Sequence, residues 1–122
     1  MESKKKTVVI GASPNPARYS HLAIESLRGK GYETRAIGLR SGKVMDVDIE
    51  TDQPEISDVD TVTLYVGPRH QDYWKTYIHS LKPRRVIFNP GTENGEFEAE
   101  LEKTGIETER ACTLVLLGSG VY

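Results

Sequence analysis

The stretch TVVIGASPNPARYSH, Thr7 to His21, decides how the rest of the chain is read. Its first four residues are apolar or β-branched and run straight into Gly11, the pattern of a short buried strand closed by a turn. A polar, proline-bearing loop follows. Ser20, Ala23, Ile24 and Leu27 then recur at helical spacing, and Gly29 and Gly31 supply a C-terminal stop. Strand, glycine, loop and helix thus occur in order. The glycine-rich pattern G-x-G-x-x-G is not completed, because Ser13 and Pro16 stand where its later glycines would fall. The loop is therefore the unusual part, and the scaffold around it is ordinary.

Working outward, the same alternation continues. YETRAIG reads as a second strand ending at Gly38, and DTVTLYVG as a third ending at Gly67-Pro68. Trp74, Tyr77, Ile78 and Leu81 share one helical face, and Pro83 stops that helix. RRVIFN is a fourth strand. Phe97 and Leu101 sit one turn apart on a further helix that Gly105 ends, and IETER is a short fifth strand. Between Arg40 and Asp58 the chain is polar, with Val44–Ile49 pairing as a minor strand; CTLVLLG near the end has no clear period. Alternating strands and helices predict an α/β fold: a doubly wound, Rossmann-like parallel sheet of about five strands, with helices on both faces. One domain over residues 1–122 is expected.

Composition agrees with a globular chain: 37% hydrophobic, 28% charged and formally −2 at pH 7. No apolar run approaches the ~20 residues of a membrane span, and the basic MESKKK start leads into a strand instead of a secretory apolar region. With Cys112 alone there is no internal disulfide, and a cytoplasmic address is expected. Charge is unevenly distributed, since the first third is basic whereas Glu93 to Glu109 is crowded with glutamates. No basic stripe is interleaved with aromatics, so nucleic acid is not the expected partner. A phosphorylated small molecule suits the basic half, and solvated charged faces are the plain alternative.

In such sheets ligands lie beyond the carboxyl ends of the strands, where the strand order reverses. Four loops converge there. Gly11, Ala12, Ser13, Asn15, Pro16, Arg18, Tyr19 and Ser20 form the first, where a helix N-terminus and an arginine suit a phosphate. Gly38, Leu39 and Arg40 form the second, which lacks the acid that accepts from an NAD ribose and offers a cation suited to a phosphorylated one. Val66, Gly67 and Pro68 make an apolar lip for an adenine or a pantetheine arm. Asn89, Pro90 and Gly91 form the fourth loop, with Asn89 either bonding a ligand amide or capping the loop. Ser, Asn and Pro also serve simply as turn formers and caps.

These residues resemble a known family. GASPNPARYSHLAIESLRGKGYE, residues 11–33, is similar to the first unit of the CoA-binding-domain family, stand-alone relatives of the CoA-binding domain of the succinyl-CoA synthetase α subunit. The family's Gly-x-Ser-x-Asn-Pro-x-Arg-x-Ser loop corresponds to Gly11, Ser13, Asn15, Pro16, Arg18 and Ser20. Gly31-Tyr32, Val59-Asp60, Gly91 to Asn94 and Cys112 match its further marks. The resemblance implies coenzyme A or an acyl-CoA, with its diphosphate on the first loop and its adenosine near the second and third. The chain departs from the family at Ala36–Leu39, where a Pro-Val-Asn-Pro is usual, and in the tail LVLLGSGVY.

Catalytic and metal-binding residues are not expected. His21 and His70 fall in first helical turns beside the loops, His79 is read as solvent-facing, and Cys112 as a buried structural thiol. No histidine or serine motif of a hydrolase or metalloenzyme occurs, and the phosphorylated histidine of synthetase-like enzymes lies in a domain outside this resemblance. A binding module is therefore the leading reading. The alternatives are an NADP-dependent oxidoreductase and an interaction module that has lost its ligand and self-associates as a homo-oligomer.

Overall fold

In the computed structural model, which describes residues 5–122, seven strands form a single sheet. The first four residues of the MESKKK start, read above as no secretory leader, lie outside the described residues. The chain runs β1 (Thr7–Ile10), α1 (Tyr19–Gly29), β2 (Thr34–Ile37), β3 (Gly42–Val44), β4 (Val47–Glu50), β5 (Thr61–Leu64), α2 (Asp72–Leu81), β6 (Arg85–Phe88), α3 (Gly95–Lys103), β7 (Glu107–Arg110) and α4 (Thr113–Gly118). A single 3-10 turn, Pro68–His70, precedes α2.

The strand order is β3-β4-β2-β1-β5-β6-β7. Every pairing is parallel except β3 with β4, a hairpin that extends one edge. The minor strand expected at Val44–Ile49 is thus two strands, which added to the five expected, β7 among them, bring the sheet to seven. A turn at Met45-Asp46 divides that segment, and Met45 adopts a left-handed φ of 55°. CTLVLLG forms the short helix α4, whose length of 6 residues leaves too little period to read.

Each parallel strand alternates its side chains between two cores. Val8, Ile10, Val62, Leu64, Val86 and Phe88 face α2 and α3, and are covered by Trp74, Ile78, Phe97 and Leu101. Val9, Ala36, Ile49 and Ile87 face the opposite way, under Ile24 and Leu27 of α1 and Leu117 of α4. Continuous apolar strands buried on both faces are what the crossover helices require. β1 is central: its neighbours β2 and β5 begin windings that proceed in opposite directions. The crevice beyond β1 and β5 is therefore the switch point of the sheet. Among the described residues, no helix is long and apolar enough to cross a membrane.

Candidate functional site

Two glycines fix how the loops at that crevice cross. Gly11 has φ +93°, and a Cβ there would lie 2.9 Å from the carbonyl carbon of Tyr65, at the end of β5. Gly38 lies beneath the first loop, where a Cβ would come 2.2 Å from the Ala12 carbonyl oxygen. The backbone N–H groups of Gly11 and Ala12 both donate to Ile37 O, at 2.9 and 3.0 Å, pinning the first loop to the end of β2. The loop then shapes itself. Ser13 Oγ accepts from the Asn15 N–H at 3.1 Å, and Asn15 Oδ1 from the Ala17 N–H at 3.0 Å. Beneath it, buried His21 places Nδ1 3.2 Å from Ser13 O and Nε2 3.8 Å from Glu25.

Above these crossings lies an open cleft of about 900 Å³, at the large end for a small-molecule site. The loop after β1 lines it with Gly11, Ala12, Ser13, Pro14, Arg18, Tyr19 and Ser20, and the loop after β2 with Gly38, Leu39 and Arg40. Tyr65, Val66, Gly67 and His70 come from beyond β5, Tyr73 and Trp74 from α2, and Pro90, Gly91 and Thr92 from beyond β6. Among the described residues, no aspartate or glutamate lines the cleft. Among the described residues, Arg28, Arg35, Arg84, Arg85 and Arg110 are each bound to a carboxylate, whereas Arg18, Arg40 and Arg69 have none, and of these Arg18 and Arg40 line the cleft. No hydrogen bond within the described residues takes up the N–H of Tyr19 or Ser20, the first two residues of α1. Donors and positive charge therefore converge on one end of the cleft, with no local anion to neutralise them.

Most of the residues expected at the site meet there, but four do not line the cleft: Asn15, Pro16, Pro68 and Asn89. Asn15 is spent on the loop's own turn. Asn89 is a correction, because it is 1% exposed and faces the interior. Its amide donates to Thr63 Oγ1 at 2.7 Å and to Leu64 O at 3.0 Å, while its Oδ1 accepts from the Thr113 N–H at 2.8 Å. Asn89 thus ties β5, β6 and α4 together, with no group left for a ligand. His21 supports the loop, and exposed His70 lines the cleft. His79 is half-buried with its ring edge-on to Phe97 at 6.0 Å, not solvent-facing as expected. Cys112, half-buried at the start of α4, does not reach the cleft.

The sequence reading overlooked Pro14, Tyr65, Tyr73, Trp74 and Thr92. Trp74 carried only a core signal, yet at 4% exposure it both packs in the core and floors the cleft. Tyr65 has the one buried side-chain polar atom without a well-formed hydrogen bond among the described residues, its phenolic oxygen. Burial pushes that phenol up to about 12. Within the described residues no group of His, Cys, Asp and Glu is arranged to hold a metal ion.

The model of the CoA binding domain matches residues 5–118. The chain belongs to the CoA binding domain family. Among solved structures, one described as an uncharacterized protein is 47% identical, with a TM-score of 0.96 over 99% of this chain and 100% of that one. A conserved hypothetical protein from Pyrococcus furiosus is 25% identical, TM-score 0.75, over 86% of this chain and 91% of that one. A Thermus thermophilus protein at 22% identity and TM-score 0.80, over 97% of this chain and 91% of that one, shares the fold. No curated protein matches the chain significantly.

Proposed function

We propose that the chain binds coenzyme A or an acyl-CoA in this cleft without transforming it, its diphosphate held by the first loop. One observation carries the reading: Arg18 and Arg40, unpaired, with the free N–H groups of Tyr19 and Ser20, in a cleft lined by no carboxylate. Arginine forks and helix N-termini are strong phosphate donors. The diphosphate is held by Arg18, the Ser13 hydroxyl and the free N–H groups of Tyr19 and Ser20, Arg40 reads the ribose phosphate, and Val66 and Gly67 lie against the uncharged part. Membership of the CoA binding domain family supports this assignment.

The test uses the chain's one tryptophan, Trp74, which lies in the cleft and reports occupancy by its fluorescence. Titration with coenzyme A should be saturable, and at 100 times the dissociation constant should stabilise the fold by about 2.7 kcal/mol. NADP and NAD are titrated alongside. The absence of any response to coenzyme A, or tighter binding of NADP, would overturn the reading.

A further inference from the structure

We infer that the half of the cleft beyond β5 and β6 is an acyl-chain subsite, so that the site prefers a thioester with an apolar acyl group to free coenzyme A. The inference rests on the coenzyme A reading above and names which form of that ligand the cleft takes.

The two halves of the cleft differ in chemistry. Arg18 and Arg40 both belong to the half built on β1 and β2. On the other side His70 is the one basic side chain, and the wall is Tyr65, Val66, Tyr73, Trp74 and Pro90. Several polar groups of that side are already used within the protein. Gln71 Nε2 donates to Val66 O at 2.8 Å and Thr92 O at 2.7 Å, and its Oε1 accepts from Asn94 at 2.9 Å. The Thr92 hydroxyl donates to Asn89 O at 2.8 Å, and the Gly91 N–H to Glu93 at 2.9 Å. What remains for a ligand there is mainly apolar surface. Tyr73 is 65% exposed and stands edge-on to Trp74 with centroids 5.0 Å apart, giving a wall of two rings. A ligand anchored by its phosphates at one end gains at the other by covering this wall. Each methylene fully removed from water strengthens binding about fourfold.

Calorimetry on the full chain with coenzyme A, butyryl-CoA and octanoyl-CoA, each below its micelle-forming concentration, tests the inference. Affinity should rise with chain length, reaching about tenfold from coenzyme A to octanoyl-CoA, since partial cover of about two methylenes suffices. In Tyr73→Ala that ratio should fall below about threefold, with Tyr73→Gln as a second variant. In Arg40→Ala every ligand should weaken while the ratio persists. Equal or weaker binding of octanoyl-CoA by the unaltered chain, or a ratio that both Tyr73 variants leave intact, would overturn it. Binding of coenzyme A with no acyl increment sinks this inference alone; failure of every ligand to bind sinks the coenzyme A reading with it.

Discussion

Gly38 and Ala12 touch backbone to backbone: a methyl group on the first would lie 2.2 Å from the carbonyl oxygen of the second. The contact leaves no room for a side chain at Gly38, so the first loop comes down onto a bare backbone at the end of β2. Gly38→Ala should therefore lift that loop, costing about 1–3 kcal/mol in stability and weakening coenzyme A. Urea unfolding and ligand titration on the same variant measure both; an unchanged midpoint with unchanged affinity contradicts the close crossing.

Arg40 is exposed, lines the cleft and has no carboxylate partner among the described residues, so its charge is available to a ligand. Arg40→Ala should weaken coenzyme A by about tenfold or more, the worth of one hydrogen bond to a charged group. Dephospho-CoA should lose much less. Equal losses for the two ligands mean that Arg40 does not read the ribose phosphate.

Tyr65 keeps a buried phenolic oxygen that makes no well-formed hydrogen bond within the described residues, although the hydroxyls of Thr63 and Thr113 lie beside it. Removing it should be neutral or stabilising by up to about 1 kcal/mol, because an unsatisfied polar atom is costly to bury. The same burial holds the folded phenol at about 12, against about 10 in the unfolded chain. Below pH ~10 both states keep the proton. Between the two values only the unfolded chain releases it, so stability falls as pH rises through that window. Tyr65→Phe should make the fall shallower in urea melts taken at successive alkaline pH values. A steeper fall, or a loss at neutral pH above about 1 kcal/mol, rules this out.

Asn89 satisfies three partners from β5 and α4. Asn89→Ala leaves the Thr113 N–H and Leu64 O buried without it, and should cost about 2–4 kcal/mol, from two orphaned groups of about 1–2 kcal/mol each. The expected signature is a lower urea midpoint with α4 exchanging its amide hydrogens faster than β1. A midpoint within experimental error of the parent would show that the network contributes nothing.

Periodicity carried the layered part of the fold. TVVI, TVTL and the VIF that follows Arg85 are apolar or β-branched runs buried on both sides, a pattern that parallel central strands share and few other elements produce. The edges were harder. Gly42–Val44 and Val47–Glu50 are half-exposed strands of 3 and 4 residues, too short for alternation to stand out from a loop. The loops that meet at the switch point could be named because strand ends are visible in sequence. Side-chain direction could not. Asn89 and Trp74 are both a polar or aromatic residue next to a loop, yet one turns inward and the other floors the cleft. That choice depends on partners such as Thr63 and Thr113, which are distant in sequence and near in space.

The last strand of the sheet carries a consequence for assembly. β7 reads Glu-Thr-Glu-Arg, and its charges are engaged: Glu107 with Arg84, Glu109 with Arg85, and Arg110 with Glu98. A strand from another molecule adding at this border would set its side chains against fixed charges, the protection that natural sheets use against growth by edge pairing. The β7 border is thus guarded against a second copy, and β3 forms the opposite edge of the sheet.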